Sequence, residues 1–142
     1  MTDRLFTARD YPVAETAPDR VTGQRGRTLN ELTMEAVLNG EIGMEDLRIT
    51  EEALMRQAAI ARSVERSALA SNFERAAEMT RLPQDEIMAI YELLRPGRAA
   101  SQQELTEAAA RLRNTYDAPR LAAFVEVAAA LYGRRSLYRT RY

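Results

Sequence analysis

The sequence predicts an all-α fold: a small, irregular helical domain with an extended N-terminal arm. Three observations carry that reading. Apolar residues recur at helical spacing, most cleanly as Ile87, Ile90, Tyr91 and Leu94, an i, i+3, i+4, i+7 series. Proline and glycine fall between such series, at Gly40, Pro83, Pro96–Gly97 and Pro119, where they end one helix or open the next. No stretch alternates apolar and polar residues with the period of two that a half-buried strand requires, and no internal repeat is present.

The elements follow in order. Residues 1–27 hold Pro12, Pro18, Gly23 and Gly26 among short polar stretches, which describes an arm, with Phe6 and Tyr11 as single aromatic anchors for laying it along another surface. Residues 28–142 form a single helical domain. Its first helix lies in TLNELTMEAVLNG, where Leu29, Leu32, Ala36 and Val37 recur and Gly40 stops the segment. Thr50 caps the next, with Glu51 and Glu52 favourably placed against the helix dipole. Ser63 and Ser67 mark a break after it. In NFERAAEM (72–79), Phe73, Ala76 and Ala77 form a stripe, with Glu74, Arg75 and Glu78 facing away. Asp85 and Glu86 occupy the first turn behind Pro83, and Arg95 stands at the C-terminal end of that helix. Ser101 and Glu104 have capping-box spacing, and Glu107–Arg111 is an i, i+4 ion pair. The last helix, LAAFVEVAAALY (121–132), carries only Glu126 as a charge, so it must be buried on more than one side, in part by another chain.

Composition closes off much chemistry. The 142 residues, 46% hydrophobic, include no histidine, cysteine, lysine or tryptophan, and every one of the 20 basic residues is arginine. No Schiff base can form, no imidazole can activate a nucleophile, and zinc would lack nitrogen and sulfur ligands. Without cysteine there is no disulfide framework, which is compatible with a reducing cytoplasm. The N-terminus has no apolar run of signal-peptide length and no later run would span a bilayer, so a soluble, cytoplasmic protein without membrane contact is expected. The carboxylate pairs Glu45/Asp46, Glu51/Glu52, Asp85/Glu86 and Glu104/Glu107 fall at helix starts, where the dipole selects acids, and read as first-turn or solvated charges rather than acid–base dyads. GQRGR (23–27) lacks the lysine and the strand–loop–helix setting of a phosphate loop.

The C-terminal RRSLYRTRY interleaves Arg134, Arg135, Arg139 and Arg141 with Tyr138 and Tyr142, a pattern that can bind RNA or dock on an acidic protein. The net charge of −1 argues against a nucleic-acid partner. A free-standing helical regulator using this tail is the alternative function. A small enzyme using only carboxylates, arginine and tyrosine is a third.

Taken in order, five segments resemble the small (gamma) subunit of adenosylcobalamin-dependent diol and glycerol dehydratases. They are DYP (10–12), LNGEIGMEDLRIT (38–50), NFERAAEM (72–79), LPQDEIMAIYELLRPGR (82–98) and AAFVEVAAALY (122–132). The resemblance spans about Tyr11 to about Leu137, and SVERSA (63–68), at the expected helix break, departs from it. It implies a hydro-lyase built as a dimer of heterotrimers. The large (alpha) subunit is a barrel holding the diol and a metal ion, and adenosylcobalamin lies between the large and medium (beta) subunits. Cobalt–carbon homolysis there starts a radical conversion of a 1,2-diol or glycerol to an aldehyde and water. The small subunit is helical, packs on the large one, and supplies no catalytic, cofactor-binding or metal-binding residue. Asn72 and Pro96 are landmarks of this fold; Tyr11, Phe73, Arg75, Tyr91, Arg95 and Phe124 are the candidates for subunit contact. The short arm argues against a separate encapsulation extension, and the cytoplasm, or a bacterial microcompartment within it, is the expected location.

Overall fold

A computed structural model describes residues 5–139. It is all-α: no strand occurs among the described residues, which hold a single isolated bridge between Thr22 and Thr28. The chain divides into two compact units between Thr80 and Arg81, elsewhere than the expected arm–domain boundary at residue 27.

In the first unit the arm is not extended. It winds through a 3-10 turn at Ala8–Asp10, the one-turn helix α1 (Val13–Thr16) and a second 3-10 turn at Pro18–Arg20. Thr7 and Asp10 close the first turn, the Thr7 N–H donating to Asp10 Oδ2 at 2.8 Å. Fixed φ at Pro12 and Pro18 suits such turns as well as it suits an extended path. The arm lies along a helix of its own chain: Phe6, Val13 and Ile60 are buried together, and the Ala8 N–H donates to Ser63 Oγ at 2.9 Å. The Arg20 and Arg56 guanidiniums lie 4.4 and 5.4 Å from the Phe6 ring centre, within cation–π range. Phe6 is therefore an anchor. Tyr11, 61% exposed, is not packed on its own chain in this way.

The helix expected from TLNELTMEAVLNG is split into a 3-10 turn at Leu29–Glu31 and α2 (Met34–Leu38). Thr33 explains the interruption, since its Oγ1 accepts the Ala36 N–H at 3.2 Å and restarts the helix as an N-cap. Gly40 ends α2 at φ +74°, a conformation that favours glycine. After α3 (Met44–Leu47), Thr50 caps α4 (Glu51–Ser63) as expected, accepting from the Ala53 N–H at 3.1 Å. The break at 64–66 is present, with Glu65 at φ +62°, and α5 (Ser67–Met79) follows. The two helices pack through small residues, Ala58, Ala61 and Ala70, with Phe73 against them. One expectation for α5 fails: Glu78 does not face away but is buried at 2%, beside Ala77 at 1%. The Phe73–Ala77 stripe marks one covered side of α5 and understates how much of the helix is covered.

The second unit consists of α6 (Gln84–Leu94), α7 (Gln102–Asn114) and α8 (Pro119–Arg135) around one core. Leu105, Leu112 and Val125 fill it, while Ala108, Ala109, Ala122 and Ala129 keep α7 and α8 close. Tyr132 donates its hydroxyl to the Leu94 carbonyl, and Tyr138 donates to Ala129 at 2.5 Å. Gly97, at φ +77°, donates its N–H to Leu137 at 2.7 Å, and Arg139 donates to Ala99 at 2.8 Å, so the C-terminal segment closes over the Pro96–Gly97 turn. Two polar expectations change. Ser101 makes no side-chain cap, and Glu104 instead accepts the Ala100 N–H at 2.8 Å. Arg111 turns from Glu107 to Glu86, at 3.1 Å, while Glu107 accepts from Gln103. A pair across two packed helices replaces the local one.

Candidate subunit interface

The chain's buried acids are the first place to look for chemistry, and one of them proves structural. Asp46, 3% exposed, receives the Arg25 guanidinium through both carboxylate oxygens and the Gly43 N–H at 2.9 Å. The Arg25 hydrogen bond, aided by Gly43, lowers its pKa from 3.8 to about 2. A carboxylate so firmly charged holds a loop in place; it is no proton carrier near neutral pH. Arg25 also donates to the Glu41 carbonyl at 3.0 Å, so one guanidinium fastens both the segment after α2 and the start of α3. Gly23 completes the fit: a Cβ there would stand 2.4 Å from the Asp46 carbonyl oxygen, so the 23–27 loop reaches α3 only without a side chain. Asp46 is thus a first-turn acid, as expected, and it is a buried clamp rather than a solvated one.

Among the described residues no group of three or more acidic side chains is placed to hold a metal ion. The grooves of the first unit are open and measure about 220–370 Å³, the scale of a small ligand rather than of a corrinoid. No helix of the described residues is long and apolar enough to cross a membrane.

What the surface does offer is apolar area. Of the contact candidates, Tyr11 (61%), Tyr91 (59%) and Phe124 (47%) are exposed rings. Tyr91 stands outside the core stripe of α6, beside exposed Met88, and the core positions are Ile87, Ile90, Leu93 and Leu94. Phe73 is half-buried on the α4–α5 alanine cluster and, with Tyr11, lines one groove of about 370 Å³ together with Ile60, Val64 and Leu69. Arg75 bonds Asn72, and Arg95 pairs with Glu92 at 2.9 Å. On α8, Ala122, Val125 and Ala129 are buried while Phe124 and Val127 stay exposed, so this chain covers one side of the helix.

The sequence reading missed the most concentrated apolar surface. Met34, Val37, Leu38, Met44, Leu47 and Ile49 are all 48–79% exposed. The signal was present: apolar residues crowded into LNGEIGMEDLRIT and its approach, in helices too short to bury them. In the tail, Arg134 and Arg135 belong to the last turn of α8, where they favour the dipole. Tyr138 is committed to the core and is not free to stack on a base. Arg141 and Tyr142 lie outside the described residues.

Comparison with known proteins places the chain in a family. A family model described as dehydratase small subunit matches residues 6–139. A propanediol dehydratase small subunit of Salmonella typhimurium is 45% identical over 134 residues, covering 94% of this chain and 77% of that protein. Its counterpart from Citrobacter freundii is 47% identical over 126 residues, covering 89% of this chain and 73% of that protein. Matched over residues 6–139 by that family model and 45–47% identical to these relatives, the chain belongs to the dehydratase small subunit family.

Proposed function

We propose that this chain is the non-catalytic small subunit of an adenosylcobalamin-dependent dehydratase that converts 1,2-diols or glycerol to aldehydes. In this reading it packs on the large subunit and stabilises a dimer of heterotrimers in the cytoplasm. Diol, metal ion and cofactor are held by the large and medium subunits, whose radical chemistry none of this chain's residues enters. The relatives' names, propanediol dehydratase small subunit, support a diol substrate. The observation that carries the role is the exposed apolar surface, dense in the first unit; the second unit has its own exposed rings at Tyr91 and Phe124. Patches of this kind on a soluble chain mark contact sites, and permanent subunit interfaces commonly bury about 2,000 Å² or more.

Co-expression with the large and medium subunits, followed by sizing and assay, tests the reading. The chain should elute with both partners, and cobalamin-dependent dehydration should require the large and medium subunits. Substitutions on this chain should lower the amount of complex while leaving turnover per assembled complex near wild type. A chain that stays alone in solution overturns the proposal, as does a variant that assembles fully yet loses turnover.

A further inference from the structure

Within sixteen residues, Met34, Val37, Leu38, Met44, Leu47 and Ile49 turn large apolar side chains to solvent, while only Ile42 and Asp46 are buried. A segment with so little core of its own should fray, because helices of five and four residues do not persist alone. It is held instead by polar contacts: the Thr33 cap, the Arg25 bridge to Glu41 and Asp46, and the Gly43 N–H on Asp46. These contacts fix the backbone and leave the apolar side chains unused. The rim is acidic: Glu35, Glu41 and Glu45 are exposed against a single Arg48, while the Asp46 charge is already met by Arg25. A second copy of this chain would set acid against acid, so charge selects a different occupant.

We propose that residues 34–49 are the seat of the large dehydratase subunit, which meets them with an apolar patch ringed by arginine or lysine. This rests on the subunit role proposed above and adds to it the surface and the chemistry of its complement. Exposed methionines suit the role, since flexible thioethers adapt to a partner's contour.

The test uses the full chain co-expressed with the medium subunit and an affinity-tagged large subunit. Leu38→Glu/Met44→Glu should reduce the chain retained on the large subunit about tenfold or more, because charge would be buried unpaired at the seat. Val127→Glu, the same kind of change on α8, should cost markedly less. The rim variant Glu35→Arg/Glu41→Arg/Glu45→Arg should also be retained poorly, through like-charge contact. Because the chain has no cysteine, Met44→Cys supplies a unique thiol, and cross-linking from it should label the large subunit. The seat is overturned if the double variant, folded by circular dichroism, is retained within about twofold of wild type, or if Val127→Glu costs as much. If the double variant does not fold, the rim variant decides on the same terms. Cross-linking to the medium subunit or to a second copy overturns the occupant. Failure of the wild-type chain to co-purify would instead sink the subunit role itself.

Discussion

Asp46 shows how one residue fixes a surface it does not belong to. It sits beneath the exposed segment, bound by Arg25 and Gly43, with its pKa lowered to about 2. In the unfolded chain the carboxyl returns to about 3.8, so the unfolded state takes up the proton first as pH falls. The stability it contributes is therefore whole above about pH 4 and is lost as pH falls through about 2. Asp46→Asn keeps the shape and removes the charge. Urea titrations of wild type and variant should show a lower midpoint for the variant near neutral pH. That gap should narrow below about pH 4 and close near pH 2. A gap independent of pH would mean that the Asp46 charge contributes nothing and that the variant is weakened instead by the acceptor oxygen it loses opposite Arg25. Glu31, whose pKa is lowered by the Thr28 hydrogen bonds and by Arg27, titrates in both proteins and cancels from the difference.

At the scale of elements, the α7–α8 contact determines what the second unit tolerates. Ala109 is fully buried there, while its neighbour Ala110 is exposed. Ala109→Leu should destabilise by about 1–3 kcal/mol through overpacking, whereas Ala110→Leu should stay within about 0.5 kcal/mol. Denaturant midpoints at unchanged m-value measure both, and equal effects would refute the assigned face. Helix positions were legible in the sequence because caps and stops act locally: Thr50, the 64–66 break, Pro119 and Gly97 act where the pattern puts them. Faces were legible only in part. The 3.6-residue period locates a stripe but does not choose between flanking positions such as Leu93, which packs inward, and Tyr91, which does not. Glu78, and the choice by Arg111 of Glu86 over Glu107, depend on neighbours distant in sequence. The candidate site was the least legible part. Residues 34–49 look like ordinary helix core until their helices prove too short to cover them.

Over the whole molecule, apolar burial is uneven in a way that assembly would complete. The second unit has one continuous core of eleven buried residues, whereas the first has two clusters of three each and most of the exposed apolar side chains. Local stability follows buried contacts, so backbone amides in the isolated chain should differ in protection by region. Hydrogen exchange should be slowest in α7 and α8 and fast across 34–49, where Thr33 and the Arg25–Asp46 clamp hold short helices in solvent. Binding of the larger subunits should slow exchange at 34–49 most, because that is where desolvation and ordering are still available. The α7–α8 core should change little, being closed already. Peptide-level exchange on the free chain and on the assembled complex measures both predictions. A complex in which 34–49 exchanges as fast as in the free chain would move the seat elsewhere on the surface, with the exposed rings of Tyr91 and Phe124 next in order.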